Sequence, residues 1–413
     1  MSISVQSTAC KQRRDRAARK TTIGYWKLVA LGEPFRLLFP VGLAIGISGV
    51  LLWPLHIWNI TTTYPGVSHA RIMIEGFLGC FVAGFLGTAL PRLVGAPNIK
   101  VGETIAIATG FVATTWLHAI GRVFWGDQMF LFTLLALVIA LGMRVAVRKD
   151  IPPPAFVLVA MSMLSALAGV TLFLANELAP MALHAWAAPL ARLLLYQGFL
   201  LLPVMGISAF LLPRFFGLPN RQNFDESLTP PPGWWPEALF ALACGTAVLA
   251  SFVLEVSSRI QAGYALRAMA FLVYSLRELP VHRAGIGGGT LALGARLALL
   301  SPPVGFILIV WKPAFSLSFL HVVYITGFSL LTLIVASRVV LGHSGQAKLF
   351  NTSLRFVLIM ISLVTLAMLT RVSADWLPNI RLSHYAYASI AWILGCLVWA
   401  IAILPSVRVV DSN

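Results

Sequence analysis

Twelve runs in this 413-residue sequence are apolar enough to cross a lipid bilayer, and they leave no room for a second domain. A span takes about 20 apolar residues. The runs are residues 35–57, 69–91, 102–121, 128–147, 154–176 and 186–213, followed by 234–257, 262–280, 285–311, 315–341, 352–371 and 385–405. The expected fold is therefore all-α, a polytopic membrane protein of about 12 transmembrane helices. Residues 1–30 read as a basic cytoplasmic tail, 31–405 as one transmembrane domain and 406–413 as a short cytoplasmic tail. Composition agrees: 59% of residues are hydrophobic and 11% charged, whereas soluble domains carry about a quarter charged residues.

The net charge of +16 invites a nucleic-acid reading, but its distribution argues for a membrane. With the basic N-terminal stretch inside, 21 of the 30 Lys and Arg fall on inner segments and seven outside, with Arg192 and Arg296 inside helices. That is the positive-inside bias, and an even number of spans puts both termini in the cytoplasm. No cleavable leader pattern precedes the first run. Cys10, Cys80, Cys244 and Cys396 are scattered, with neither a disulfide framework nor a C-x-x-C metal motif.

An internal repeat organises the spans. The 25 residues from Ile74 align without a gap on those from Tyr196: Gly76-Phe77 falls on Gly198-Phe199, Gly84 on Gly206, the LPR ending at Arg92 on that ending at Arg214, and Pro97-Asn98 on Pro219-Asn220. A fainter copy holds Gly327-Phe328 and Arg338. The copies are four spans apart and share one orientation, as expected of parallel four-helix repeats, which often hold sites at their mutual interface. Two helices with similar packing glycines are the plainer alternative.

Six of the eight histidines are expected near outer helix ends: His56, His69, His118, His184, His321 and His384. His69, His184 and His321 stand near the outer starts of the three repeated spans. Imidazole ligates both metals and haem iron, and ionisable groups at membrane depth are functional candidates. His56 and His384 also suit the interface, and His282 and His343 suit basic inner loops. Arg71 and Arg192, before the repeated glycines, need an anion, either a haem propionate bound bidentately or Glu75, Glu177 or Glu255. Glu75, taken as the one acid clearly inside a helix, suits a proton relay or an ion pair with Arg71. Met181 is a soft-metal candidate or simple packing. The glycines from Gly285 to Gly289 read as helix packing, and Trp53, Trp58, Trp116, Trp125, Trp186, Trp311 and Trp376 as an outer aromatic belt.

EPFR at Glu33 to Arg36, HARIMIEGF at His69 to Phe77, and the segment from His321 to Gly345 that closes in GHSG together resemble the NnrS family over nearly the whole chain. The resemblance implies a bacterial inner-membrane protein carrying haem b, with copper as a further metal, linked to nitric oxide, nitrosative stress and denitrification. Its partners would be nitric oxide or metal-nitrosyl species and the lipid bilayer, not nucleic acid. The family's first motif commonly reads HAHEM, and here Arg71 and Ile72 replace its second histidine and glutamate, which favours haem over copper. His69 and His321 are then the expected axial ligands. Arg71, Arg192 and Arg338 complete the cofactor set, with His184, His118 and His343 as further metal candidates. A secondary transporter of twelve helices without haem is the competing function. A haem-copper oxidase is disfavoured, because no two histidines are adjacent in sequence.

Overall fold

The computed structural model describes residues 24–279 and 288–410. Cys10, His282, Gly285 to Gly287 and the basic residues up to Lys20 lie outside them. Regular structure among the described residues is helical throughout. After a short helix, Tyr25–Ala30, come α1 (Phe35–Ile57), α2 (Gly66–Leu93), α3 (Val101–Ala119), α4 (Val123–Ala146), α5 (Phe156–Leu178) and α6 (Ala187–Phe215). The second half holds α7 (Trp234–Val256), α8 (Ile260–Glu278), α9 (Gly289–Trp311), α10 (Pro313–His343), α11 (Arg355–Trp376) and α12 (Pro378–Arg408).

Ten of these helices are long and apolar enough to cross a membrane. The other two are the more polar α3, with four threonines and Glu103, and α8, with Arg267, Arg277 and Glu278. In lipid the backbone must satisfy its own polar groups, which continuous helices do. The chain is a multi-pass membrane protein.

Each group of four helices repeats one packing scheme. An outer helix (α1, α5, α9) packs along the next helix (α2, α6, α10), and a tight antiparallel hairpin follows: α3–α4, α7–α8 or α11–α12. The groups join through α4 on α5 and α8 on α9, and α12 against α1 closes the ring. The helices α2, α6 and α10 form the inside. In their most apolar stretches 78%, 78% and 67% of residues are buried, against 33–56% in the other seven spans that qualify.

These three inner helices share a second property, a stretch of π-helix: Ile72–Leu78 in α2, Leu194–Gly198 in α6 and Val322–Ser329 in α10. Fewer than 1% of residues in proteins are π-helical, and such turns gather at functional sites. Each stretch reaches or contains the glycine of a Gly-Phe pair, so the local geometry recurs with the four-helix period. In α6 the neighbouring helix bonds the disturbed carbonyls: Ser165 Oγ donates to Leu194 O at 2.8 Å and Ser162 Oγ to Phe199 O at 2.7 Å. Trp392 and Trp399 of α12 fasten α10 through indole N–H bonds to Ser329 Oγ (3.0 Å) and Ser337 Oγ (2.8 Å).

At the other end of the bundle the EPFR and GHSG motifs meet. Glu33 binds Arg36, accepts from Arg92 Nη2 at 3.2 Å and lies 2.6 Å from His343 Nδ1. Arg36, 1% exposed, also reaches the carbonyls of Val407 (2.5 Å), Val409 (3.0 Å) and His343 (3.1 Å). One buried guanidinium thus ties the start of α1 to the ends of α10 and α12. Burial alone would raise Glu33, but the bonds to His343 and Arg36 outweigh it and hold its carboxyl down at about 2.

Candidate functional site

Above the π turns, at the end bearing His69, the inner helices spread around a cavity of about 510 Å³, within the range of cofactor and small-molecule sites. Its lower wall is aromatic and aliphatic, with Phe77, Leu78 and Trp392, and its upper wall carries polar groups, among them His69, Arg192, Glu255, His321 and Arg371. Leu78 also lines a second, smaller space of about 80 Å³ that continues between α2, α6 and α10 and is bounded almost wholly by apolar side chains.

His69 and His321 both line the large cavity, although 252 residues separate them. Each is held by a backbone carbonyl: His69 Nδ1 lies 3.0 Å from Gly49 O, and His321 Nδ1 lies 2.7 Å from Leu317 O. A carbonyl can only accept, so Nδ1 carries the proton in both rings and Nε2 keeps its lone pair. That is the usual arrangement of a metal-ligating histidine. The first anchor depends on close helix approach. A Cβ on Gly49 would stand 2.6 Å from Ile72 Cγ2, so glycine alone lets α1 come near enough. Trp53 stands edge-on to His69 at 6.1 Å and lines the cavity, whereas the other six tryptophans of the expected belt are 41–64% exposed.

Two cations face the same space. Arg192 is exposed at its rim, with no hydrogen bond or ion pair among the described residues. It precedes Gly198 by six residues, as His321 precedes Gly327, so arginine takes the place in α6 where α2 and α10 carry histidine. Arg371 donates to Asp375 Oδ2 at 3.2 Å and stacks on Tyr385 at 4.3 Å; Asp375 also accepts from Tyr385 OH at 2.9 Å and from Ser318 Oγ. On the opposite wall, Arg267 of α8 is fully buried and donates to Ser251 Oγ (2.9 Å), Gln197 Oε1 (2.5 Å) and Glu255 Oε2 (2.8 Å).

Arg71 turns away from the cavity. Its Nη2 donates to Asp127 Oδ2 at 2.8 Å, its Nε lies 3.5 Å from Glu75 Oε1, and its guanidinium stacks on Phe173 at 3.8 Å. His118, fully buried at the end of α3, places Nε2 at 2.9 Å from Glu75 Oε2 and 3.7 Å from Asp127 Oδ1. Glu75, His118 and Asp127 have the donor types of a metal site, with one ligand atom from each within 4.8 Å of the others. Tyr196 links this group to the cavity, accepting from Arg71 Nη1 at 3.3 Å.

The other expected residues lie elsewhere. His184 is exposed and stacks on Trp186, 14 residues before Gly198 and so out of step with His69 and His321. Met181 is 98% exposed in the same turn and touches none of them. His56 and His384 stay at the rim. Arg338 and His343 belong to the far end of α10: Arg338 is sandwiched between Phe215 (4.0 Å) and Phe350 (4.3 Å) and bonds Arg214 O. It follows His321 by 17 residues, about 25 Å of helix, too far to share a ligand with it. Glu75 is not the single helical acid, since Asp127, Glu255 and Glu278 also lie within helices. Tyr196, Gln197, Tyr264, Tyr324 and Asp127 escape a sequence reading, the tyrosines because they pass for interfacial aromatics and Asp127 because the apolar run starts one residue later.

A family model described as NnrS protein matches residues 29–408. No curated protein matches the chain.

Proposed function

The chain belongs to the NnrS family, and from that premise we propose that it is a bacterial inner-membrane haem protein acting in the nitric oxide response, with both termini cytoplasmic and its haem in the large cavity. The observation that carries this reading is the pair His69 and His321, each with Nδ1 bonded to a carbonyl and Nε2 left to one shared space. Haem b fits the residues present: imidazoles for the iron, Phe77, Leu78 and Trp392 against the macrocycle, and guanidinium groups for the propionates. When bound, it would supply an iron able to take nitric oxide or a related nitrosyl species as ligand.

The chain's own side chains have distinct tasks. The carbonyls of Gly49 and Leu317 fix both imidazole tautomers. Arg192, unpaired among the described residues, and Arg371, held by Asp375, offer positive charge at the rim. The apolar lower wall would keep water from a bound macrocycle, and it continues into the small apolar space, which suits a small ligand of low polarity. Copper has the weaker case. Arg71 stands where the family pattern has a second histidine, and Asp127 and Glu75 hold its guanidinium away from Met73 and His69.

The test is the absorption spectrum of protein produced with haem available. We expect a Soret band in the wild type that is lost or shifted in His69→Ala and in His321→Ala. An unchanged spectrum in both variants rejects the ligand assignment. Wild-type protein with neither iron nor copper rejects the cofactor reading and leaves the transporter.

A further inference from the structure

Three polar clusters occupy corresponding places, each where an inner helix meets the hairpin that follows it. In the second, Arg267 and Glu255 balance one another beside Gln197 of α6. In the third, Arg371 and Asp375 balance beside Ser318 of α10, with Arg381 reaching Asp375 at 3.7 Å from the exposed edge. The first departs from this pattern. Arg71 faces two carboxylates, Glu75 and Asp127, which are 0% and 1% exposed.

With His118 neutral, that cluster carries an unbalanced negative charge in a low-dielectric interior, which is costly. Its geometry is under-bonded as well: among the described residues Glu75 Oε1, Asp127 Oδ1, His118 Nδ1 and Arg71 Nε are buried without a hydrogen-bond partner, and Arg71 Nε, 3.5 Å from Glu75 Oε1, can serve at most that one oxygen. The surrounding groups do not supply the missing charge. Thr114 and Thr115 of α3 are neutral, Tyr196 of α6 accepts from Arg71, and Glu177 at the end of α5 adds negative charge towards Asp127. Arg192 lies beyond Tyr196.

We propose that Glu75, His118 and Asp127 form a proton-binding site that holds one proton more than a neutral histidine and two carboxylates would, stored one side chain behind the cavity wall. One added proton brings the group to neutrality, whether it makes His118 an imidazolium or Asp127 a carboxylic acid. A divalent metal would instead leave a buried excess of positive charge. The 2.9 Å separation of His118 Nε2 from Glu75 Oε2 is that of an ordinary N–H···O hydrogen bond, so Nε2 carries a proton and an added one has His118 Nδ1 or a carboxylate oxygen to go to. Gly126 makes room for the imidazole, since a Cβ there would overlap the His118 ring. Tyr196, bonded to Arg71 and lining the cavity, is the contact through which the store meets the site. The proposal does not depend on what fills the cavity.

The test compares purified wild type with Asp127→Asn, which is isosteric and removes the surplus charge, with Glu75→Gln as the parallel variant on α2. Proton binding, infrared signatures of carboxylic acid and imidazolium, and melting temperature are followed from about pH 6 to about pH 10. A proton taken up on folding stabilises the native state at low pH and ceases to do so as pH rises past its release. The wild type should therefore release about one more proton than either variant, with loss of the matching infrared band and a fall in melting temperature that the variants lack. Equal release and parallel melting curves in all three overturn the proposal. So does retention of added Zn²⁺ or Cu²⁺, after removal of excess, at about one per chain by wild type alone, which would make the group a metal site.

Discussion

Replacing Arg267 by methionine removes a cation that ties α6, α7 and α8 together. The side chain is fully buried, donates to three partners on two other helices, and lies 4.6 Å from the Phe252 ring and 4.5 Å from that of Tyr264. Methionine keeps much of the volume but leaves Glu255 unpaired and Gln197 and Ser251 without their donor. Breaking a fully buried pair by removing one partner costs about 3–5 kcal/mol. Glu255 is 17% exposed and lines the cavity, which with the donation from Tyr264 OH at 3.1 Å lowers the expected loss to about 2–3 kcal/mol. If the stranded charge causes the damage, Arg267→Met with Glu255→Gln should recover at least about 1 kcal/mol relative to the single variant. The assay is denaturant and thermal unfolding in one detergent, read by tryptophan fluorescence. The expected order of stability is wild type, double variant, single variant. A double variant no more stable than Arg267→Met would refute the charge argument and assign the loss to packing.

Arg192→Gln should leave stability within about 0.5 kcal/mol, since Arg192 has no partner to strand, yet lower the retention of haem on dilution; unchanged retention would remove Arg192 from the propionate assignment. Glu33, held at about 2, has a depressed folded value, so its contribution is present above about pH 4.5 and lost as pH falls towards 2. Glu33→Gln should cost about 1–3 kcal/mol at neutral pH, a deficit that closes on acidification in unfolding titrations. Ser165→Ala removes the hydroxyl donor to the π-turn carbonyl of Leu194 and should cost about 0.6 kcal/mol, the usual scale of such bonds between membrane helices, measured by unfolding in detergent.

Most helices were legible because hydropathy marks them: ten of the twelve expected runs fall on helices long and apolar enough to cross a membrane, and the other two fall on the more polar α3 and α8. Boundaries were less so: the apolar run of α4 begins after Asp127, but the helix begins at Val123, and that extra turn buries the aspartate. Which helices lie inside could not be read from apolar content, since inner and outer ones are similarly hydrophobic. The repeat pointed to α2, α6 and α10, but not to their π turns, which shift hydrogen bonds without leaving a mark in composition. His69 and His321 were found together from the sequence. His118 shares their residue type and their end of the bundle, but it pairs with acids behind the wall. Arg338 and His343 were grouped with the cofactor because they share a motif with His321, and the length of α10 separates them.

The π turns also bear on how such a helix changes over evolutionary time. Inserting a residue into an α-helix rotates everything beyond it by about 100°, which would ruin the packing of one half. A wide turn swallows the extra residue locally, so the half above it can be reset in phase while the half below keeps its neighbours. His69 stands seven residues before its glycine and His321 six. Residues around the cavity in α2, α6 and α10 are therefore compared correctly only when one position of slack is allowed at each turn, and a rigid ungapped alignment will pair the wrong side chains above it.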